Sequence, residues 1–196
     1  MFPTDTVFGV GTVPTSEEGI LRLFGIKKRN LEKKLPILFS SLEDVCKFVD
    51  VDERARNLAN AFWPGQVTMI LPAKSRVVPS VLLGQEDTLA VRVPKNECCL
   101  RLISACGRSL IGTSANFSGS NSCYDPDQPE LLKFAEHADY FVKGKCGGNT
   151  LPSTIIDLST PDTFSIVREG AISKNAIFDY LSKTSNADLS LSATKS

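Results

Sequence analysis

The chain has 196 residues, 42% of them hydrophobic and 22% charged, with 22 basic residues against 22 acidic ones. That length makes one large domain or two small ones, long enough for a proper core. The even balance excludes a chain-wide footprint for duplex nucleic acid, so any basic site is local.

No stretch approaches the ~18 uninterrupted apolar residues of a membrane helix, and the first residues do not read as a signal peptide. The six cysteines, Cys46, Cys98, Cys99, Cys106, Cys123 and Cys146, never form Cys-x-x-Cys, and His137 is the sole imidazole. A zinc site is therefore not expected, and reduced, mostly buried thiols in a cytoplasmic protein are.

In chain order, "MFPTDTVFGVG" reads as a strand that runs into a polar turn and a Gly-x-Gly. Ser16 opens a helix with Glu17 and Glu18 in its first turn, where negative charge suits the helix dipole, and with Ile20, Leu23 and Phe24 as its buried stripe. "LPILFS" is a short buried strand, and Ser41 to Asp44 form a capping box for a helix through about Val49. Ala55, Leu58, Ala59 and Phe62 fall at i, i+3, i+4, i+7, so a further helix runs up to "WPG".

"VTMILP" and "TLAVRVP" are strands, each ended by a proline. Cys99, Leu102, Ile103 and Cys106 have helical spacing, "SLIGTSA" is a strand entering a polar loop, and Leu131, Phe134, Ala135 and Ala138 mark another helix. "DYFVKG", "STIIDLS" and "FSIVRE" read as three late strands. Ser173 caps a last helix with Ile172 and Ile177 as a hydrophobic staple. From Lys183 the chain is small and polar, a disordered tail or linker stub over 183–196 beyond a domain of 1–182. The sum is one α/β domain with a twisted mixed sheet flanked by helices.

The familiar chemical motifs are missing. Pro14 stands where a dinucleotide fingerprint needs its third glycine, and no Gly-Lys-Ser/Thr or Gly-x-Ser-x-Gly occurs. What remains is a series of polar clusters at strand ends: Thr4-Asp5-Thr6, the basic run "KKRNLEKK", Arg92 in an otherwise apolar strand, "GTSANFSG", "LPSTIID" and Arg168. Taken singly, each reads equally as a turn, a cap, a solvated face or a structural ion pair. Strand carboxyl ends are also where open α/β sheets bind ligands. Guanidinium groups, lysines and hydroxyls without a nucleophile suit anions, and phosphoryl or nucleotidyl transfer needs little more than positioning and charge neutralisation.

In order, "PTDTVFGVG", "KKR", "FWPGQVTMILP", "LAVRVP", "GTSANFSG", "PSTIIDLS" and "VREG" resemble the threonylcarbamoyl-AMP synthase family with its YrdC-like fold, across residues 2–170. Members join L-threonine, bicarbonate and ATP into threonylcarbamoyl-adenylate and pyrophosphate. The adenylate serves threonylcarbamoyladenosine modification of tRNA by a downstream transferase complex.

The resemblance implies that Thr6, Arg92, Thr113 and Ser153 bind threonine, with Arg92 on its carboxylate. It implies that Lys27, Arg29, Lys33 and Arg168 meet the ATP phosphates, Lys27 and Arg29 being catalytic. Thr88, Ser114, Ala115 and Asn116 would line the nucleotide side. Magnesium would arrive with ATP rather than on protein side chains, and tRNA is a further candidate partner.

Phe8 replaces a common family tyrosine, Leu38 or Phe39 a histidine, and Asn96 another histidine, changes that bear on threonine selectivity. The resemblance also implies a helix and most of a first strand before "PTDT", and a longer chain after the tail in some members. Two other readings stay open. One is a YrdC-like RNA-binding module without synthase activity; the other is a carbamoyl-transfer domain of the hydrogenase-maturation type.

Overall fold

The computed structural model describes residues 1–28, 35–148 and 150–193, without the side chains of 85 and 184–193. Among these residues the chain forms a six-stranded and a two-stranded sheet. The strands are β1 (Gly9–Val10), β2 (Ile37–Phe39), β3 (Val67–Pro72), β4 (Thr88–Arg92), β5 (Ser109–Ile111), β6 (Thr113–Ser114), β7 (Thr154–Asp157) and β8 (Ser165–Arg168). The helices are α1 (Glu17–Lys27), α2 (Leu42–Val45), α3 (Glu53–Phe62), α4 (Glu97–Ala105), α5 (Pro129–Ala135) and α6 (Lys174–Ala193).

The large sheet has the order β5-β2-β4-β3-β7-β8, and β1 pairs antiparallel with β6 beside it. Pairs β2/β4 and β3/β7 are parallel, while β2/β5, β3/β4 and β7/β8 are antiparallel. The sheet is therefore mixed, as expected from helices separating the early strands while the late ones lie close in sequence. The central strands β3 and β4 are mostly buried along their length. Met69, Leu71, Leu89, Val91 and Ile156 point one way, into the main core with Ile20, Leu58 and Phe39.

Local signals place the helices. Ser16, Ser41, Asp52 and Asn96 each accept a backbone N–H at the start of α1, α2, α3 and α4. The Ser173 hydroxyl accepts the Ala176 N–H at the start of α6, where Ile177 is buried and Ile172 packs on the same core.

Three expectations are revised. The helix from Ser41 stops at Val45, because the chain then bends to meet the end of β3: Asp50 N–H donates to Pro72 O and Lys74 N–H to Phe48 O. "DYFVKG" is not a strand. Its backbone touches the opening residues at two points, Val142 N–H on Met1 O and the N-terminal ammonium on Tyr140 O, with no ladder. Its aromatic signal reflects Phe141 packing edge-on against Phe8, ring centroids 5.7 Å apart. Finally, α6 continues to Ala193, through a segment that reads as patternless but contains no glycine or proline to stop a helix.

Candidate functional site

A cavity of about 540 Å³ opens on the face of the sheet opposite the core. Its floor follows from strand alternation, which puts residues i and i+2 on one face. Thr68 and Ile70 of β3, Thr88, Ala90 and Arg92 of β4, and Ile155 and Asp157 of β7 all line it. The register aligns them in rows: Ile70 faces Ala90 on one side and Asp157 on the other, and Thr68 faces Ile155. Threonine and alanine at these positions leave room where larger side chains would fill the floor.

The walls come from distant segments. Thr4, Thr6 and Phe8 come from the opening segment, Leu38 from β2, Thr113 and Ser114 from β6, Ser153 from just before β7 and Arg168 from β8. The opening turn is rigid. The Thr4 hydroxyl donates to Val7 O at 2.7 Å, accepts the Thr6 N–H at 3.1 Å and lies 2.9 Å from the Thr6 hydroxyl.

Arg92 is the buried cation of the site, with its side chain 7% exposed against 6% for its partner Asp5. Its Nη2 donates to Asp5 Oδ1 at 2.6 Å and its Nε to Gly65 O at 2.8 Å. Nη1 reaches Thr6 Oγ1 only at 3.4 Å, which leaves it directed toward the cavity's hydroxyl end with capacity to spare. Thr68 Oγ1 and Ser153 Oγ form a second buried pair at 2.8 Å. Arg168 is exposed at the rim, and its Nη2 donates to Ser153 O at 2.7 Å.

The site thus brings together Thr6, Thr88, Arg92, Thr113, Ser114, Ser153 and Arg168 from the expected set. Ala115 is fully buried beside it, its N–H donating to Phe8 O. Asn116 turns its amide back into its own loop, donating to Ser120 O at 2.6 Å.

Lys27 does not line the cavity. Its ammonium donates to Ser114 O at 2.5 Å, Asn116 O at 2.8 Å and Asn116 Oδ1 at 3.4 Å, and sits 5.9 Å over the Phe134 ring. The helix phase explains this, because Lys27 follows Ile20, Leu23 and Phe24 on the buried stripe. In this structure it fixes the 114–116 loop that walls the cavity. Arg29 and Lys33 lie outside the described residues.

Two residues of the cavity floor, Thr68 and Asp157, and one residue behind it, Asp5, are polar members of the site that the sequence does not single out. Thr68 hides in an apolar-looking strand, where its shared face with Ile70 is the available signal. Asp157 follows the same period on β7. Asp5 looks like an ordinary turn residue, and nothing local announces its pairing with a residue 87 positions away.

No activated nucleophile faces this chemistry among the described residues. Burial pushes the Cys99 thiol up to about 12 against the opposing pull of Arg92, and pushes Cys146 up to about 11. His137 is exposed, packs edge-on against Phe117 and lines a second cavity of about 600 Å³ instead. No cluster of three or more His, Cys, Asp or Glu side chains among the described residues could hold a metal ion. Among them, too, no helix is long and apolar enough to cross a membrane.

The Sua5/YciO/YrdC family model, described as "telomere recombination", matches residues 1–170. The threonylcarbamoyl-AMP synthase of Pseudoalteromonas translucida is 36% identical, over 84% of this chain and 88% of that protein. The one from Aliivibrio fischeri is 35% identical, over 83% of this chain and 88% of that protein. Pyrococcus abyssi Sua5, solved complexed with L-threonine, superposes with a TM-score of 0.75 at 35% identity, over 91% of this chain and 52% of that one. The present chain therefore spans about half of the Pyrococcus protein. E. coli YciO superposes with a TM-score of 0.72 at 27% identity, over 87% of this chain and 82% of that one. With the family model covering nearly all of the mixed sheet and every wall of the cavity, the chain belongs to the Sua5/YciO/YrdC family.

Proposed function

We propose that the chain is a threonylcarbamoyl-AMP synthase, a nucleotidyltransferase that joins L-threonine, bicarbonate and ATP and releases pyrophosphate. The observation that carries this reading is the cavity's division of labour. A buried, ion-paired Arg92 stands among hydroxyls on the floor, and an exposed Arg168 stands at the rim. The first arrangement suits the carboxylate of a small amino acid, held by a guanidinium fork. The second suits a polyphosphate that reaches solvent.

In the reaction, the threonine amine takes up CO2 from bicarbonate to form a carbamate, with loss of water. A carbamate oxygen then attacks the α-phosphorus of ATP, and the bond to pyrophosphate breaks. Arg92 fixes the amino acid by its carboxylate, with Thr6, Thr113 and Ser153 around it. Arg168, with Arg29 and Lys33 from the preceding basic run, offsets charge on the phosphates. Lys27 keeps Ser114, Ala115 and Asn116 in place along the nucleotide side. Magnesium would enter as part of the nucleotide substrate and would supply further charge neutralisation on the phosphates. Positioning and electrostatics supply the catalysis, so a mechanism without histidine or thiolate is sufficient. The product would then pass to a transferase acting on tRNA, with the cytoplasm as the compartment this reading expects.

The test is pyrophosphate release from ATP and bicarbonate with and without threonine. Threonine-dependent release is expected. Truncation of one member of a buried charged pair costs about 2–5 kcal/mol, so Arg92→Ala should lose about 30-fold or more in kcat/KM for threonine. Release that ignores threonine overturns the reading, as does RNA binding without any release.

A further inference from the structure

We infer that Asp5 is a positioning residue: it sets the plane of the Arg92 guanidinium and so decides how tightly the cavity holds its amino-acid carboxylate. The inference rests on the reading of Arg92 given above. It names a residue that touches no substrate, since Asp5 does not line the cavity while its neighbours Thr4 and Thr6 do.

Arg92 could turn in several ways at the end of β4. Its Nε bond to Gly65 O fixes one edge of the fork at 2.8 Å. A single backbone contact leaves rotation about that bond, and the 3.4 Å approach to Thr6 is too long to stop it. The short bond to Asp5 Oδ1 removes this freedom. Two points on a planar group define its orientation, and the uncommitted N–H groups then face the cavity as a preformed fork.

Asp5 is itself held from several sides. The Gln66 amide donates to its backbone carbonyl at 2.7 Å, and Gly147 N–H donates to Thr4 O at 3.0 Å. A Cβ on residue 147 would lie 2.4 Å from Asp5 O and 2.8 Å from its Cα, so only glycine lets that segment close over the turn.

The arrangement is also costly. Asp5 Oδ2 is buried without a hydrogen-bond partner among the described residues. A half-satisfied buried carboxylate is poorer for stability than an apolar side chain of similar size. Turn geometry does not require it, because the Thr4 and Thr6 hydroxyls and the Gln66 amide hold the turn by other atoms. What Asp5 alone provides is a counter-charge and a fixed acceptor for Arg92.

The experiment compares Asp5→Leu, Asp5→Asn and Arg92→Ala by steady-state pyrophosphate release, with threonine and ATP varied separately and melting followed by circular dichroism. Asp5→Leu is expected to raise the threonine KM tenfold or more and to leave the ATP KM within twofold. Asp5→Asn, which keeps an oxygen for the Nη2 donor but loses the counter-charge, is expected to recover part of that loss and to leave the threonine KM threefold or more above the parent. A threonine KM within twofold of the parent in Asp5→Leu, with Arg92→Ala impaired, overturns the positioning role and leaves the reading of Arg92 standing. Parallel rises in both KM values, tracking the melting temperature, also overturn it. An Arg92→Ala variant with an unchanged threonine KM removes the reading itself and the inference with it. Should Asp5→Leu fail to fold, Asp5→Asn decides alone. A threonine KM raised threefold or more with the ATP KM unchanged supports the role, and a smaller change overturns it.

Discussion

Thr68 on β3 and Ser153, the residue before β7, place their hydroxyl oxygens 2.8 Å apart, both side chains buried where the cavity floor meets its wall. The pair fixes the direction of the Ser153 hydroxyl, which the carbonyl-bound Arg168 approaches from the other side at 3.4 Å. Thr68→Val keeps the shape and removes the bond. One neutral hydrogen bond is worth about 0.5–1.5 kcal/mol, so kcat/KM for threonine should fall about threefold to tenfold with the ATP KM unchanged. Steady-state kinetics with serine as a competing amino acid checks this, and an unchanged ratio of the two substrates removes the pair from selectivity.

Arg168 sits on the edge strand β8 and leans on Ser153 O through Nε and Nη2. Charged hydrogen bonds contribute about 1.5–3 kcal/mol, so Arg168→Ala should raise the ATP KM by about tenfold to a hundredfold. Arg168→Lys should recover only part, because a point charge cannot reproduce the fork. The threonine KM is expected to move less than the ATP KM; the reverse order would place Arg168 at the amino-acid end.

The Lys27 ammonium ties α1 to the loop after β6 by its bonds to Ser114 O and Asn116 O. Lys27→Met keeps an unbranched apolar side chain of similar length and strands those carbonyls, a loss of about 2–4 kcal/mol. For a domain of this size that corresponds to about 5–15 °C in melting temperature. Hydrogen exchange should speed up first at residues 113–118, and unaltered exchange there contradicts the fastening role.

Asp44 links stability to acid. Burial alone pushes its carboxyl up, but the bond from Lys47 and those from the Ser40 and Ser41 hydroxyls together outweigh it and hold the group at about 2. An unfolded aspartate titrates near 3.9, so its folded value is depressed. The resulting stabilisation is complete above about pH 4 and drains away as pH falls from about 4 towards 2. Urea melts should find Asp44→Asn less stable than the parent at pH 6, with the difference shrinking through that acid window. A gap that stays constant down to pH 2 contradicts the linkage.

Much of this architecture is legible locally. Ser16, Ser41 and Ser173 mark helix starts by cap chemistry, and the prolines after "VTMIL" and "VRV" mark strand ends. Arg92 stands out because a charge in an apolar strand needs a partner. The identity of that partner is not local, since any of several aspartates satisfies the requirement until topology chooses Asp5. The resemblance sets Lys27 with its basic neighbours at the phosphates, whereas its phase after Leu23 and Phe24 turns it inward. The segment around Phe141 has strand-like residues, but a strand is a property of two segments, and its would-be partner supplies one hydrogen-bond acceptor, Met1 O.

The cavity's key contacts span most of the chain: Arg92 reaches back 87 residues to Asp5, and Thr68 forward 85 to Ser153. No contiguous half of the sequence contains both pairs. A chain still missing its last strands, whether on the ribosome or after a proteolytic cut, lacks the Ser153 and Arg168 side of the pocket and leaves one edge of β3 unpaired. Turnover is thus a readout of the completed topology, and it should vanish on the first opening of β7 and β8 while most of the helical signal persists.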